Sequence, residues 1–149
     1  MRPGRFRYAL AGMGLFLLLT GCFIVSGERL SETPLPSGGE IQVRFVSADG
    51  EAERRVSLGR PLAPVKLEVA VQVDWGELSV EVIGEDLVPL LNVRARYGQA
   101  GQGTALARTD ADGQIRLHLR ADEARNGRYT IHYFWSPTPT PLPSPTPTP

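Results

Sequence analysis

Residues 65–75 read Val65-Lys66-Leu67-Glu68-Val69-Ala70-Val71-Gln72-Val73-Asp74-Trp75. Apolar side chains fill every odd position, and apart from Ala70 the even positions are polar. This is the period of two that puts successive side chains on opposite faces of a strand. A helix would scatter the six apolar residues around its circumference, so the stretch predicts a half-buried β-strand. Working outward, the same alternation returns at Ile41, Val43 and Phe45, at Val56 and Leu58, and at Leu78, Val80 and Val82. It returns again at Leu91, Val93, Ala95 and Tyr97, at Ile115, Leu117 and Leu119, and at Tyr129, Ile131, Tyr133 and Trp135. Turn signals separate the runs: Asp49-Gly50, Trp75-Gly76, Gly84, residues 98–103, Asp112-Gly113 and Asn126-Gly127. No helical period extends beyond residues 121–125. Residues 40–135 are therefore expected to form an all-β, antiparallel β-sandwich of about seven to eight strands.

Before this body lies a different kind of sequence. Arg2, Arg5 and Arg7 precede an uncharged run from Tyr8 to Leu19, at whose end stands Leu19-Thr20-Gly21-Cys22. The run is shorter than the roughly 20 apolar residues of a membrane-spanning helix and fits the ~7–15 of a signal-peptide core. Leu19-Thr20-Gly21-Cys22 resembles the lipobox of bacterial lipoproteins at all four positions. That resemblance implies a signal peptide over residues 1–21, cleavage between Gly21 and Cys22, and a thioether-linked diacylglyceryl group on Cys22. It leaves the new amino terminus open to acylation by a fatty acid such as palmitate. Membrane lipid is then a partner through Cys22, and the chain is expected to be extracytoplasmic and lipid-anchored. Cys22 is the only cysteine, so the body must fold without a disulfide or a cysteine-ligated metal. Residues 22–39, rich in Ser, Gly, Pro and Glu, read as a tether with room for one short strand.

At the other end, residues 136–149 carry proline at every second position. Such a disordered Pro-Thr tail favours polyproline II and reaches roughly 40 Å at about 3.1 Å per residue. Within the body, Thr109-Asp110-Ala111-Asp112-Gly113-Gln114 and Asn126-Gly127-Arg128-Tyr129-Thr130-Ile131 resemble hairpin and terminal-strand patterns of immunoglobulin-like and transthyretin-like (carboxypeptidase-regulatory-type) sandwich modules. The resemblance implies a sandwich, with Tyr129 placed for a tyrosine corner. It carries no activity.

Charge and chemistry narrow the function. The chain is formally neutral, and removing Arg2, Arg5 and Arg7 from its 16 basic residues leaves 13 against 16 acidic ones. No basic excess points to nucleic acid. Asp110-Ala111-Asp112-Gly113 matches part of a calcium loop, but the first ligand position would be Arg108 and the bidentate acid position Leu119, so a hairpin turn is expected instead. His118 and His132 alternate with apolar residues and lack the spacing of a metal site. With no Gly-x-Ser-x-Gly motif and the single cysteine committed to lipid, no catalytic residue, metal or cofactor is expected. The aromatics Trp75, Tyr97, Tyr133, Phe134 and Trp135 are mostly in phase with the core, with Trp75 and Phe134 the candidate ligand contacts. The expectation is a membrane-tethered, non-catalytic interaction or structural module of the cell envelope, its partner an envelope protein or a glycan. The alternative is a carbohydrate- or peptide-binding module, which two exposed rings on one sheet would favour; a small hydrolase ranks below it.

Mass spectrometry of the N-terminal peptide of the expressed protein tests the anchor. The expected result is a peptide that begins at a lipid-modified Cys22, and that Cys22→Ser releases the protein from the membrane. An unmodified peptide beginning upstream of Cys22 would refute it.

Overall fold

The computed structural model of the chain describes residues 23–136, so the expected signal peptide over residues 1–21, Cys22 and the expected Pro-Thr tail over residues 137–149 lie outside the described residues. Its elements are eight antiparallel strands: β1 (Ile24–Ser26), β2 (Arg29–Leu35), β3 (Gly38–Ser57), β4 (Pro64–Gln72), β5 (Trp75–Ile83), β6 (Pro89–Arg96), β7 (Gly101–Arg108) and β8 (Gln114–Trp135).

β3 and β8 are the longest because each serves two layers. They pair along their whole length, from Gly38 opposite Phe134 to Ser57 opposite Gln114. Midway the register shifts between Ala48 and Gly50. There Gly50 takes φ 95°, while Glu123 and Asn126 on the facing strand each take φ 47°. Bulges of this kind sharpen the local bend, and strands that bend can pass from one layer of a sandwich to the other. The inward phase records the kink. In β8 it runs through Ile115, Leu117, Leu119 and Ala121, then steps by three to Ala124 and to Gly127 before resuming at Tyr129 and Ile131. Beyond the bend, one layer runs β2-β3-β8-β4-β7 and the other β3-β8-β5-β6. Between them lies one continuous core, in which Leu67, Val80, Val82, Ala95, Leu117, Ala124 and Ile131 are fully buried.

The all-β sandwich follows the alternation, but four local expectations are corrected. Asp49-Gly50 and Asn126-Gly127 do not end strands; they flank the bend of a continuous ribbon, Gly50 opposite Ala121 on one side of the register shift and Gly127 opposite Phe45 on the other. Residues 121–125 are likewise part of β8 and not helical. The run from Val65 to Trp75 is not one strand. β4 stops at Gln72, the Asp74 amide bonds the Arg125 carbonyl at 3.0 Å, and Trp75 opens β5 in the other layer. Finally, residues 98–103 are not all connection, since β7 begins at Gly101. Its small residues fit a close approach to β6: a Cβ on Gly101 would lie 2.2 Å from the Arg94 carbonyl oxygen.

Residues 23–39, expected as a tether, contain β1 and β2, which lie antiparallel along β3. The seven residues of β2 are all exposed, so no alternation marks it as a strand. Phe23 and Val25 pack against the core. A latch reinforces this edge: Arg54 Nη1 donates to Glu28 Oε1 at 2.6 Å, and the guanidinium sits 5.9 Å from the centre of the Phe23 ring. The hydrogen bond from Arg54 holds the Glu28 carboxyl below the usual range, and burial pushes the neighbouring Tyr129 phenol up. Tyr129 is no corner residue; it lies within the ladder, paired with Val43 and Val71.

The two ends of the sandwich differ. The upper end collects the β3–β8 bend, the β4–β5 connection and the β6–β7 turn. The lower end collects both ends of β8: Arg60 lies 4.9 Å from the centre of the Trp135 ring, while the Leu58 amide bonds the Gly113 carbonyl at 2.8 Å.

The burial contrast between faces can be measured. Val69 is 2% exposed, and Val69→Asp would bury an unpaired charge at a cost of several kcal/mol, comparable with the ~5–15 kcal/mol stability of a whole domain. Gln72 on the opposite phase is exposed, and Gln72→Asp should cost about 0.5 kcal/mol or less. Urea denaturation of both variants checks this; equal losses would contradict the assignment of faces.

Candidate functional site

At the upper end two aromatic rings stand in water. Trp75 is 55% exposed and Tyr97 71%, with ring centroids 5.6 Å apart and planes inclined at 55°. Backbone geometry puts both there. Trp75 pairs with Arg125 and Glu77 with Asp122, so Gly76, at φ 74°, stands opposite the two residues Glu123 and Ala124 of a bulge in β8. A side chain at Gly76 would meet the carbonyl oxygens of Asp122 and Glu123 at 2.4 Å each, so glycine is required both for the dihedral and for the space. Tyr97 occupies the tip of a two-residue hairpin. The Arg96 and Gln99 amides and carbonyls bond reciprocally at 2.9 and 2.8 Å, and Gly98 takes φ 72°. The Tyr97 amide bonds the Gly76 carbonyl at 3.3 Å and so ties bulge to hairpin.

Charged groups frame the rings. Glu77 accepts from Arg96 Nε at 2.7 Å and faces Arg94 Nε at 3.1 Å. Trp75, Gly76, Glu77, Arg96, Tyr97, Asp122 and Glu123 line an open depression of about 370 Å³. Across the β6–β7 turn, a second depression of about 510 Å³ runs from Tyr97 along residues 98–100 to Asp74, Val73 and Gln72. A third, of about 330 Å³, lies on the outer face of the first layer, where Gln42, Thr130, Ala70 and Gln102 are neighbours on β3, β8, β4 and β7. Arg128 Nη2 donates to Gln72 Oε1 at 2.7 Å at its edge.

The expected ligand-contact residues separate. Trp75 is exposed as expected, although it heads β5 and does not end β4. Phe134 is half-buried near the lower end, 6.0 Å from Lys66 Nζ, and lines none of the three depressions. Tyr97, expected in the core with Ala95, is the second exposed ring; the strand ends one residue earlier, at Arg96, and the turn carries Tyr97 outward. The Gly98 signal was legible, but where the turn begins was not. Tyr133 and Trp135 are half-buried and stack edge to face at 5.6 Å.

His118 lies 3.5 Å from Glu81 and 3.7 Å from Glu51, and His132 lies 3.5 Å from Glu40. Neither histidine hydrogen-bonds a hydroxyl among the described residues, so no nucleophile–base pair is assembled there. Asp110 serves the hairpin, as its Oδ1 accepts from the amides of Asp112 and Gln114 at 2.9 and 2.8 Å. No group of three or more His, Cys, Asp or Glu residues able to hold a metal occurs among the described residues. No helix among them is long and apolar enough to cross a membrane.

No family model matches the chain, and no curated protein matches it. Solved structures with some likeness include a CBM4 structure (TM-score 0.35, 11% identity, covering 75% of this chain and 80% of that one). Another is TmCBM61 in complex with β-1,4-galactotriose (TM-score 0.39, 13% identity, 75% and 90%). A third is oxalate oxidase in complex with the substrate analogue glycolate (TM-score 0.40, 17% identity, 77% of this chain and 54% of that one). Likeness at this level carries neither ligand nor activity to this chain.

Proposed function

We propose that the chain is a non-catalytic glycan-binding module, held at a bacterial membrane through lipid on Cys22. The observation that carries the binding half is the Trp75–Tyr97 pair: two large rings, mostly in water, on a bulge and a hairpin whose backbones are bonded to each other. Exposing both has no folding benefit, because each buries more apolar area in a core than any aliphatic residue would. Rings fixed by backbone lose little entropy when a ligand docks. Their faces suit the C–H faces of a sugar ring, and Glu77, Arg96 and Asp122 beside them supply acceptors and donors for the hydroxyls at its rim. The anchor half rests on the basic segment, the short apolar run and Leu19-Thr20-Gly21-Cys22.

A glycan array followed by calorimetry tests the reading. Trp75→Ala and Tyr97→Ala should each weaken binding at least ten-fold, about 1.4 kcal/mol. Gly76→Ala should weaken it as well, because the added methyl collides with the Asp122 and Glu123 carbonyl oxygens and displaces the backbone that carries Trp75. Retention of full affinity by all three variants, or the absence of any glycan ligand, would overturn the assignment.

A further inference from the structure

We infer that the aromatic pair is one end of an extended site, and that the ligand is a linear, uncharged polysaccharide that continues from it across the outer face of the first layer. The inference rests on the glycan-binding reading above and adds the length, path and charge of the chain bound.

Continuity is the first reason. The aromatic depression and the one over the β6–β7 turn share Tyr97, and the latter shares Gln72 and Ala100 with the trough on the sheet face. The three therefore form one path, open to solvent. A ligand of one or two sugar units would occupy the aromatic end alone.

The second reason is the floor of the trough. Paired positions place Gln42, Thr130, Ala70 and Gln102 of its lining in one row across β3, β8, β4 and β7, and Ser31 on β2 extends the row beyond the trough. At about 4.8 Å between strands the row spans roughly 19 Å. Alanine makes its low point, and hydroxyls and primary amides make the rest. These groups donate and accept, as sugar hydroxyls do, without imposing a charge.

Charge supplies the third reason. At the border of the trough His132 faces Glu40 at 3.5 Å, and the Arg128 guanidinium is tied down by the Gln72 amide oxygen at 2.7 Å. At the aromatic end Glu77 already engages Arg94 and Arg96, and Asp122 and Glu123 add negative charge. A polyanion such as a uronate or a phosphate-linked polymer would meet those carboxylates with no free cationic cluster beside the rings. A neutral chain meets no such penalty.

The test uses ladders of neutral oligosaccharides, two to six units long, from β-1,4-glucan, β-1,4-xylan, β-1,4-galactan and β-1,3-glucan. Titration calorimetry is carried out on the protein as expressed and extracted from membranes. For the ladder that binds, affinity should rise at least ten-fold from the dimer to the hexamer. Ala70→Arg, an exposed position where a large side chain should block the trough without disturbing the core, should abolish that rise and leave dimer affinity unchanged. Gln72→Ala should reduce the rise, Trp75→Ala should weaken dimer and hexamer alike, and a polyuronate of equal length should bind at least ten-fold more weakly. A ladder that binds with the same affinity at every length, an Ala70→Arg variant with an undiminished rise, or a polyuronate that binds as tightly as the neutral chain would overturn the extended site while leaving the aromatic platform standing. No binding by any member of any ladder would overturn both. Melting temperatures within a few degrees of wild type confirm that each variant is folded.

Discussion

The ladder between β3 and β8 is the constraint on which everything else hangs. Each strand is too long for one layer, and a ribbon that stayed straight would leave its apolar face half uncovered. Bending near Asp49 and across residues 122–126 lets the same ribbon close over itself, so that Ile41, Val43 and Ile131 from one half face Leu117 and Leu119 from the other across a shared core. The bend depends on a few residues that tolerate positive φ: Gly50, Asn126 and, at some cost, Glu123. Gly127 completes it, because a side chain there would collide with the Phe45 ring.

The upper end inherits its shape from that bend. Trp75 pairs with Arg125 and Glu77 with Asp122, so the bulge beside which Trp75 turns outward is the kinked part of β8 itself. The Asp74 amide is held by the Arg125 carbonyl and the Tyr97 amide by that of Gly76. Fold and candidate site are thus one hydrogen-bonded unit. Backbone rather than side-chain packing fixes the rings, which is what allows both to remain exposed.

How much of this was legible in the sequence depended on which physical signal each residue carries. Alternation reports which face is buried, and it located the inward residues of β4, β5, β6 and both halves of β3 and β8. It is blind to strands wet on both faces, so it left room for one short strand before β3 without locating β2, and it is weak where glycine replaces apolar residues, as in β7. It also cannot tell a turn from a bulge. Asp49-Gly50, Trp75-Gly76 and Asn126-Gly127 all read as turns, yet in the structure they bend or re-aim a strand. The site suffered most from this ambiguity. Trp75 was singled out, but its neighbour across space, Tyr97, shared its phase with Ala95 and read as core. What separates them is the single residue by which the hairpin begins early, and periodicity does not resolve one residue. The anchor motif at Cys22 lies outside the described residues and remains a reading of the sequence.

The reach of the β3–β8 pairing along the chain has a consequence in time. β3 is made early, but apart from the edge strands β1 and β2 its partner is β8, whose paired residues extend from Gln114 to Phe134. β4 waits as well, because its two neighbours are β7 and β8. Almost no part of the core can close until nearly the whole domain has been synthesised, and contacts this distant in sequence make for slow folding. For the exported chain proposed above, that delay would keep the sequence unfolded long enough to be threaded through a membrane.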